Sequence, residues 1–249
     1  VIMVMELFIT GAGVSAGSGI PTFRGSDGFW TIGSVNYTPQ EMATRKMYED
    51  NPIQFLLWYY KRFATYKDSK PNIVHRWLSD KKLITQNIDG LDFKAGNVDY
   101  IPIHGRLDKL VIYDNEMKFQ EPVAAKWEDI EDKLDDEELS HHLLKKFKIS
   151  TVNGISKPKI GFSFKPFVLL FDEMYTEVYR FSEAESWMHS AEKIVFMGTS
   201  FSVNITSIAL RIAISRNIPV EIVDPEPIIL DYDNVKYHAI SAEEYCKKN

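Results

Sequence analysis

The sequence predicts an α/β fold, a doubly wound parallel sheet of the Rossmann type, on three observations. A short apolar run, Met5-Glu6-Leu7-Phe8-Ile9-Thr10, reads as a buried strand and leads straight into glycines at 11, 13, 17 and 19. Two later apolar runs, Lys82–Thr85 and Lys193–Met197, also end in clusters of small or polar residues. A chain of 249 residues is long enough for one large core, or for one core and a small lobe.

Composition narrows the class. A hydrophobic fraction of 45% and a charged fraction of 26% are ordinary globular values. Net charge is −6, which argues against nucleic acid as the main partner. No window approaches the roughly 18 apolar residues of a membrane span, so no membrane partner is expected. The opening Val1–Met5 has neither a basic region nor a small-residue cleavage site, so no signal peptide is expected. The one cysteine, Cys246, rules out an internal disulfide and a cysteine-rich zinc site, and fits a reducing, cytoplasmic setting.

The stretch Gly11-Ala12-Gly13-Val14-Ser15-Ala16-Gly17-Ser18-Gly19 has the strand–glycine turn–helix order of a diphosphate cradle. Glycine lets the backbone turn sharply, and helix N-terminal amides favour negative charge. The spacing is G-x-G-x-x-x-G, so the glycines alone leave an ordinary tight turn open as an alternative. Ile20-Pro21-Thr22-Phe23-Arg24-Gly25 then adds a proline, a ring and a guanidinium beyond the turn. Ser26–Pro39 has the composition of a loop able to move.

From Pro39 to Tyr66 the period becomes helical, with Phe55, Leu56, Trp58, Tyr59 and Phe63 as core and Asp50-Asn51-Pro52 as a start signal. Lys82–Thr85 reads as a strand with Gln86-Asn87-Ile88-Asp89 at its carboxyl end, where open α/β sheets bind ligands. Val98–Ile103 reads as a further strand, ending at His104. An imidazole there suits proton transfer near neutral pH. Glu128–Glu138 carries eight acids and one lysine, with Trp127, Ile130 and Leu134 at helical spacing, and reads as a solvated amphipathic helix. His141 and His142 follow; neighbours on a helix point about 100° apart and chelate poorly. Lys165–Glu173 is a strand candidate. Pro219–Val223 ends at Asp224, whose carboxylate suits the two hydroxyls of a ribose and repels a 2′-phosphate, favouring NAD over NADP. Val235–Ile240 is expected as an edge strand, and Cys246 in a polar tail.

Four motifs in order, Gly19–Gly25, Thr85–Asp89, His104-Gly105 and Gly198-Thr199-Ser200, resemble the sirtuin family over about Leu7 to Asp224. The resemblance implies an NAD-dependent deacylase acting on an acyl-lysine protein or peptide. Nicotinamide leaves, the acyl oxygen attacks C1′ of the ribose, and His104 takes a ribose hydroxyl proton. Products are nicotinamide, free lysine and O-acyl-ADP-ribose. Catalytic residues are then His104, Asn87 and Arg24. The cofactor set is Gly11, Ala12, Gly13, Ala16, Ile20, Pro21, Phe23, Arg24, Gln86, Asn87, Ile88, Asp89, Gly198, Thr199, Ser200 and Asp224. Within it Gln86 contacts the nicotinamide ribose, Asn87 holds that ribose and a water, and Asp89 binds the nicotinamide amide. Residues 26 to 39 resemble the loop that closes over the nicotinamide half. Peptide pairs with the backbone around Val168, Phe171, Asp172 and Glu173 by β-augmentation.

The same resemblance sets one catalytic domain with a large lobe of about 1–26, 76–105 and 165–249. A small lobe comes from insertions at 27–75 and 106–164, with the site in the crevice. Departures are equally specific. The two Cys-x-x-Cys pairs of most members are missing, so no structural zinc is expected and packing must hold the small lobe. Asp92 stands for a histidine, Asp172 for a glycine, and Asp224 for the usual asparagine. Trp58 and Lys61 occupy the places of a tyrosine–arginine pair that reads acidic acyl groups, which leaves a succinyl preference unsupported. Asp172 is expected to narrow peptide access or favour a basic substrate. Two alternatives stand beside the deacylase: an NAD glycohydrolase or mono-ADP-ribosyltransferase on the same fold, and a non-catalytic NAD or ADP-ribose sensor.

Overall fold

The computed structural model describes residues 5–22, 38–115, 118–130 and 134–249. In chain order the first elements are β1 (Glu6–Thr10), a 3-10 turn (Ala12–Ser18), α1 (Pro39–Met42), α2 (Arg45–Asp50) and α3 (Pro52–Tyr66). Next come α4 (Ile73–Trp77), β2 (Lys82–Thr85), α5 (Leu91–Lys94), β3 (Ile101–Pro102), β4 (Gly105–Ile112) and β5 (Val123–Ala124). A short 3-10 turn (Trp127–Asp129) precedes α6 (Asp136–Lys146), β6 (Ser150–Val152), β7 (Ile155–Lys157) and β8 (Phe164–Val168). The remaining elements are α7 (Phe181–Ser190), β9 (Lys193–Met197), α8 (Asn204–Arg216), β10 (Val220–Val223), β11 (Val235–His238) and α9 (Ala242–Lys248).

These elements divide into two compact units. One comprises Val1–Thr22, Ser69–His104 and Arg180–Asn249; the other comprises Phe23–Asp68 and Gly105–Tyr179. In the first, a six-stranded parallel sheet runs in the order β11-β10-β9-β1-β2-β3. The chain builds outward from β1 through β2 to β3, then resumes on the other side of β1 with β9, β10 and β11. Strand order therefore reverses between β1 and β9, and the carboxyl ends of these two strands form the switch point where such sheets bind ligands. Leu7, Phe8 and Ile9 are all buried, as a parallel strand covered on both faces requires. One face packs Phe8, Leu83, Val195 and Val223 against Val14, Val74, Leu78, Tyr245 and Cys246.

In the second unit, β4 pairs antiparallel with β5 and β8, and β6 with β7. Asn51 caps α3 by accepting from the Gln54 amide, with Pro52 in the first turn, as the sequence predicted. The core is aromatic. Trp127 lies 5.5–6.0 Å, centroid to centroid, from Tyr60, Phe63 and Phe147, and its indole N–H donates to the Leu107 carbonyl at 2.8 Å. Arg62 is buried with its guanidinium 3.1 Å from the Trp58 ring centroid and donates to the Trp58 carbonyl. Cation–π contact and that carbonyl offset part of its desolvation cost, which still drags its basicity down to about 9.

Several sequence expectations need correction. The segment after Gly11 is a 3-10 turn, because glycines at 13, 17 and 19 are poor helix formers. The strand expected at Val98–Ile103 is only Ile101–Pro102, and Val98 is 83% exposed. The acidic helix starts at Asp136 rather than Glu128, with Asp135 as its cap; Trp127 instead anchors the turn before it. The strand candidate Lys165–Glu173 is a strand only over Phe164–Val168, which pairs antiparallel with β4. Cys246 lies in no polar tail: it is buried on the inner face of α9 with Ala242 and Tyr245, at i, i+3 and i+4 spacing.

Candidate active site

At the switch point two glycine turns lock together. The Gly11 amide donates to the Met197 carbonyl at 3.1 Å, and the Gly13 amide to the Gly198 carbonyl at 2.9 Å. A Cβ on Gly13 would stand 2.7 Å from the Gly198 Cα, and one on Gly198, at φ +61°, would stand 2.8 Å from the Val14 nitrogen. Glycine is needed here for backbone-on-backbone packing, a requirement separate from the approach of a ligand. Beside this lock lie Ala12 and Ala16, while Ile20 is buried and Pro21 half-buried.

The end of β2 supplies the polar groups. Gln86 donates through Nε2 to the Thr10 carbonyl at 3.1 Å and to the Thr199 hydroxyl at 3.0 Å. Asn87 donates through Nδ2 to the Gly11 carbonyl at 2.9 Å and to Ser15 Oγ at 3.2 Å. Asp89 accepts from Ser15 Oγ at 2.6 Å and, through its other oxygen, from the Leu91 amide at 2.9 Å. Ile88 is buried between them in sequence. Beneath, Thr10 donates to Thr85, joining the ends of β1 and β2 at 2.8 Å.

Two histidines complete the arrangement, and hydrogen bonding fixes the tautomer of each. His75 accepts the Asn72 amide at Nδ1 (3.2 Å), so in its neutral form Nε2 carries the proton and faces Ser15 Oγ at 3.3 Å. Burial lowers its pKa, partly offset by the Asp89 charge, and keeps it neutral. Ser15 thus accepts from His75 and Asn87 and donates to Asp89. His104 is set the opposite way: Nδ1 lies 3.0 Å from the Gln86 carbonyl, which can only accept, so Nδ1 bears the proton and Nε2 the lone pair. Burial pushes its pKa down to about 4, with the Gln86 carbonyl pulling the other way. At neutral pH it is an uncharged imidazole able to take a proton at Nε2.

On β9 and β10, the Gly198 amide donates to the Val223 carbonyl at 3.0 Å, Thr199 is buried, and Ser200 shares a 2.7 Å hydrogen bond with Ser202. Asp224 ends β10 and accepts the Glu226 amide at 2.9 Å. Gly11, Gly13, Gln86, Asn87, Asp89, His104, Gly198, Thr199 and Asp224 therefore all gather at the carboxyl ends of the parallel strands. Phe23, Arg24 and the loop through residue 37 lie outside the described residues.

Residues 11–205 match the Sir2 family. The chain belongs to that family. A Sir2 relative from Ralstonia nicotianae, an NAD-dependent protein deacylase, is 30% identical over 90% of this chain and 82% of its own. NAD-dependent protein deacylase 1 of Caldanaerobacter subterraneus is 38% identical, but that match covers 43% of this chain and 45% of the relative, less than half its length. Among solved structures, an NAD complex of a Sir2 homologue superposes with a TM-score of 0.72 at 25% identity, over 98% of this chain and 87% of the other. An ADP-ribose complex of a mutant Sir2 homologue gives the same TM-score and identity.

Ser15, Asn72 and His75 were not among the residues singled out from the sequence. The available signal was Pro71-Asn72, a helix start with a histidine three residues on; Asn72 both caps α4 and donates to the Val14 carbonyl at 2.8 Å. The segment assigned to peptide lies in the second unit. Val168 is buried, Phe171 is 48% exposed, and the Phe171 amide donates to the Ala43 carbonyl at 2.9 Å. Asp172 accepts from the amides of Arg45 (2.6 Å) and Lys46 (3.1 Å), holding the N-terminus of α2. Glu173 pairs with the buried Lys165 at 3.0 Å and with Arg45 at 3.3 Å. Lys165 donates also to Tyr179 and the Val168 carbonyl, using all three ammonium protons. These two acids also brace the fold of this unit, a structural task that the sequence reading of Asp172 did not include.

Trp58 is buried, and Lys61 pairs with Asp136 at 3.4 Å. The second unit contains no cysteine, so its side chains do not fit a thiolate zinc site. Among the described residues no group of three His, Cys, Asp or Glu is arranged to hold a metal, and no helix is long and apolar enough to cross a membrane. His141 and His142 are exposed on α6 with ring centroids 6.4 Å apart.

Proposed function

We propose that this chain is an NAD-dependent protein-lysine deacylase in which His104 is the general base. The observation that carries the reading is the His104–Gln86 hydrogen bond, which places the proton on Nδ1 and the lone pair on Nε2 of a ring that burial keeps neutral. A sensor that only bound NAD would have no use for a base so prepared.

The chemistry that NAD supplies when bound is an electrophilic ribose carbon with nicotinamide as its leaving group. The protein adds one proton transfer, at His104, and positioning. Gly11, Ala12, Gly13 and Ala16, with Gly198, Thr199 and Ser200, supply backbone amides and hydroxyls for the diphosphate and its ribose. Asp224 accepts the hydroxyls of the adenine ribose. Ile20, Pro21, Phe23 and Arg24 flank the nicotinamide half; Ile88 and Asp89 hold its carboxamide. Gln86 and Asn87 are each held by two hydrogen bonds, so they meet the ribose with little orientational freedom left to lose. His104 accepts a ribose hydroxyl proton at Nε2, and Asn87 and Arg24 orient the reacting groups. Val168, Phe171, Asp172 and Glu173 mark the segment where the acyl-lysine peptide lies. The small lobe coheres without zinc, through its aromatic core.

The test is nicotinamide release from NAD with and without an acetyl-lysine peptide, with mass analysis of the ribose product. Peptide-dependent release giving O-acetyl-ADP-ribose is the expected result. Peptide-independent release giving free ADP-ribose makes the chain a glycohydrolase, and no release under either condition makes it a binder.

A further inference from the structure

Among the described residues, Asp92 is the one buried acid beside this site that the deacylase reading leaves without a task. It sits on the first turn of α5, 2% exposed, three residues after Asp89. Its Oδ1 is buried without a hydrogen-bond partner among the described residues. Asp89 lies just before Gly90, the left-handed cap of α5, and its charge acts on the Asp92 carboxyl across that turn. Asp89 uses both oxygens as acceptors, one for Ser15 and one for the Leu91 amide, which is the pattern of an ionised carboxylate.

Among the described residues no cation pairs with Asp92. On α4, His75 is held neutral, and Arg76 turns away to donate to the Pro71 carbonyl at 2.7 Å. On α5, Lys94 is directed to the Ser69 carbonyl at 3.4 Å. Asn97, packed beside the helix, uses its amide on the Asp92 backbone carbonyl and its side chain on the carbonyls of Leu78 and Lys81. Two unscreened negative charges in such a place are strongly disfavoured, and one of the pair must carry a proton.

We propose that Asp92 is a positioning residue, a neutral carboxylic acid whose un-ionised state leaves Asp89 as the single negative charge of the cluster and so keeps it on Ser15 and the α5 amide. Burial first, and the Asp89 charge second, raise the Asp92 pKa to about 8. Ionisation above that point sets the two carboxylates against each other, draws Asp89 off its partners and weakens NAD binding. The inference rests on the reading of Asp89 as part of the cofactor site.

The experiment is NAD affinity by titration calorimetry from pH 6 to 9.5, in the full chain and in Asp92→Asn. In the parent, affinity is expected to fall about tenfold per pH unit once Asp92 ionises, since one proton is linked. Asp92→Asn, with the same shape and nothing to ionise, is expected to lose that alkaline limb. Coincident profiles in the two proteins overturn the inference, whereas parent protein that binds no NAD at any pH overturns the cofactor reading with it. Should the variant fail to fold, carbon-13 carboxyl shifts in the parent decide: an aspartate signal protonated up to about pH 8 supports the inference, and titration of every aspartate below pH 5 overturns it.

Discussion

The backbones of Gly13 and Gly198 touch, and they do so at the ends of β1 and β9, the two parallel strands between which the strand order reverses. Gly198→Ala would drive a Cβ to 2.8 Å from the Val14 nitrogen at a φ of +61°. The expected cost is about 1–3 kcal/mol, from overpacking and a left-handed non-glycine residue. Denaturant unfolding measures it, and NAD affinity should fall with it. An alanine accepted at full stability would mean the two turns are not locked.

His104→Ala is expected to lower turnover by about 10²–10⁴-fold while NAD still binds. The pH dependence has a definite sign. Burial makes the protonated ring the disfavoured form, so the base stays competent as pH falls past 6.5 and is lost only near the value of about 4. The acid limb that His104 contributes to kcat/KM should therefore lie well below 6. An acid limb at 6.5 or above that disappears in His104→Ala would contradict this account of the site.

Folding is linked to the same proton. Between about pH 4 and 6.5 the unfolded chain binds a proton at His104 that the folded chain does not, so stability rises with pH across that window. The melting temperature should drop on acidification through this window, and drop less in His104→Asn.

Trp127→Ala should cost about 3–5 kcal/mol, the range for deleting a buried aromatic side chain. If packing substitutes for metal in the second unit, a chelator leaves the melting temperature unchanged and elemental analysis finds no stoichiometric zinc. Zinc at one per chain would overturn that view.

Asp224 should make NADP bind far more weakly than NAD, because a 2′-phosphate would meet its carboxylate at the end of β10. Asp224→Asn should narrow the gap. Comparable affinities for the two dinucleotides in the parent would remove Asp224 from the ribose site.

What could be read from the sequence was local. β1, β2 and β9 were legible because each is a short apolar run closed by small or polar residues, and α3 because its cap, proline and period agree. The segment at Phe164–Val168 carries the same apolar pattern as those strands, yet its pairing with β4 is decided by long-range geometry that no window of sequence holds. Asp172 shows the same limit: its hydrogen bonds reach the amides of Arg45 and Lys46, more than a hundred residues earlier. Gln86, Asn87, Asp89 and His104 were singled out because they follow strands and match the motifs of the resembled family. His75 was missed because its role comes from Ser15, sixty residues away. Cys246 was misread because one helical turn of apolar face is too short a signal beside four charged neighbours.

The strand order also sets a clock on synthesis. β1 leaves the ribosome well before its partner β9, for its Thr10 pairs with Met197, roughly 190 residues later. At about 5–20 residues per second, that delay is about 10 to 40 s. Throughout it Leu7, Phe8 and Ile9 have one flank of the sheet unbuilt, so a nascent chain of this protein is a client for whatever shields apolar strands in the cell, and abrupt dilution from denaturant should yield aggregates more readily than slow synthesis does.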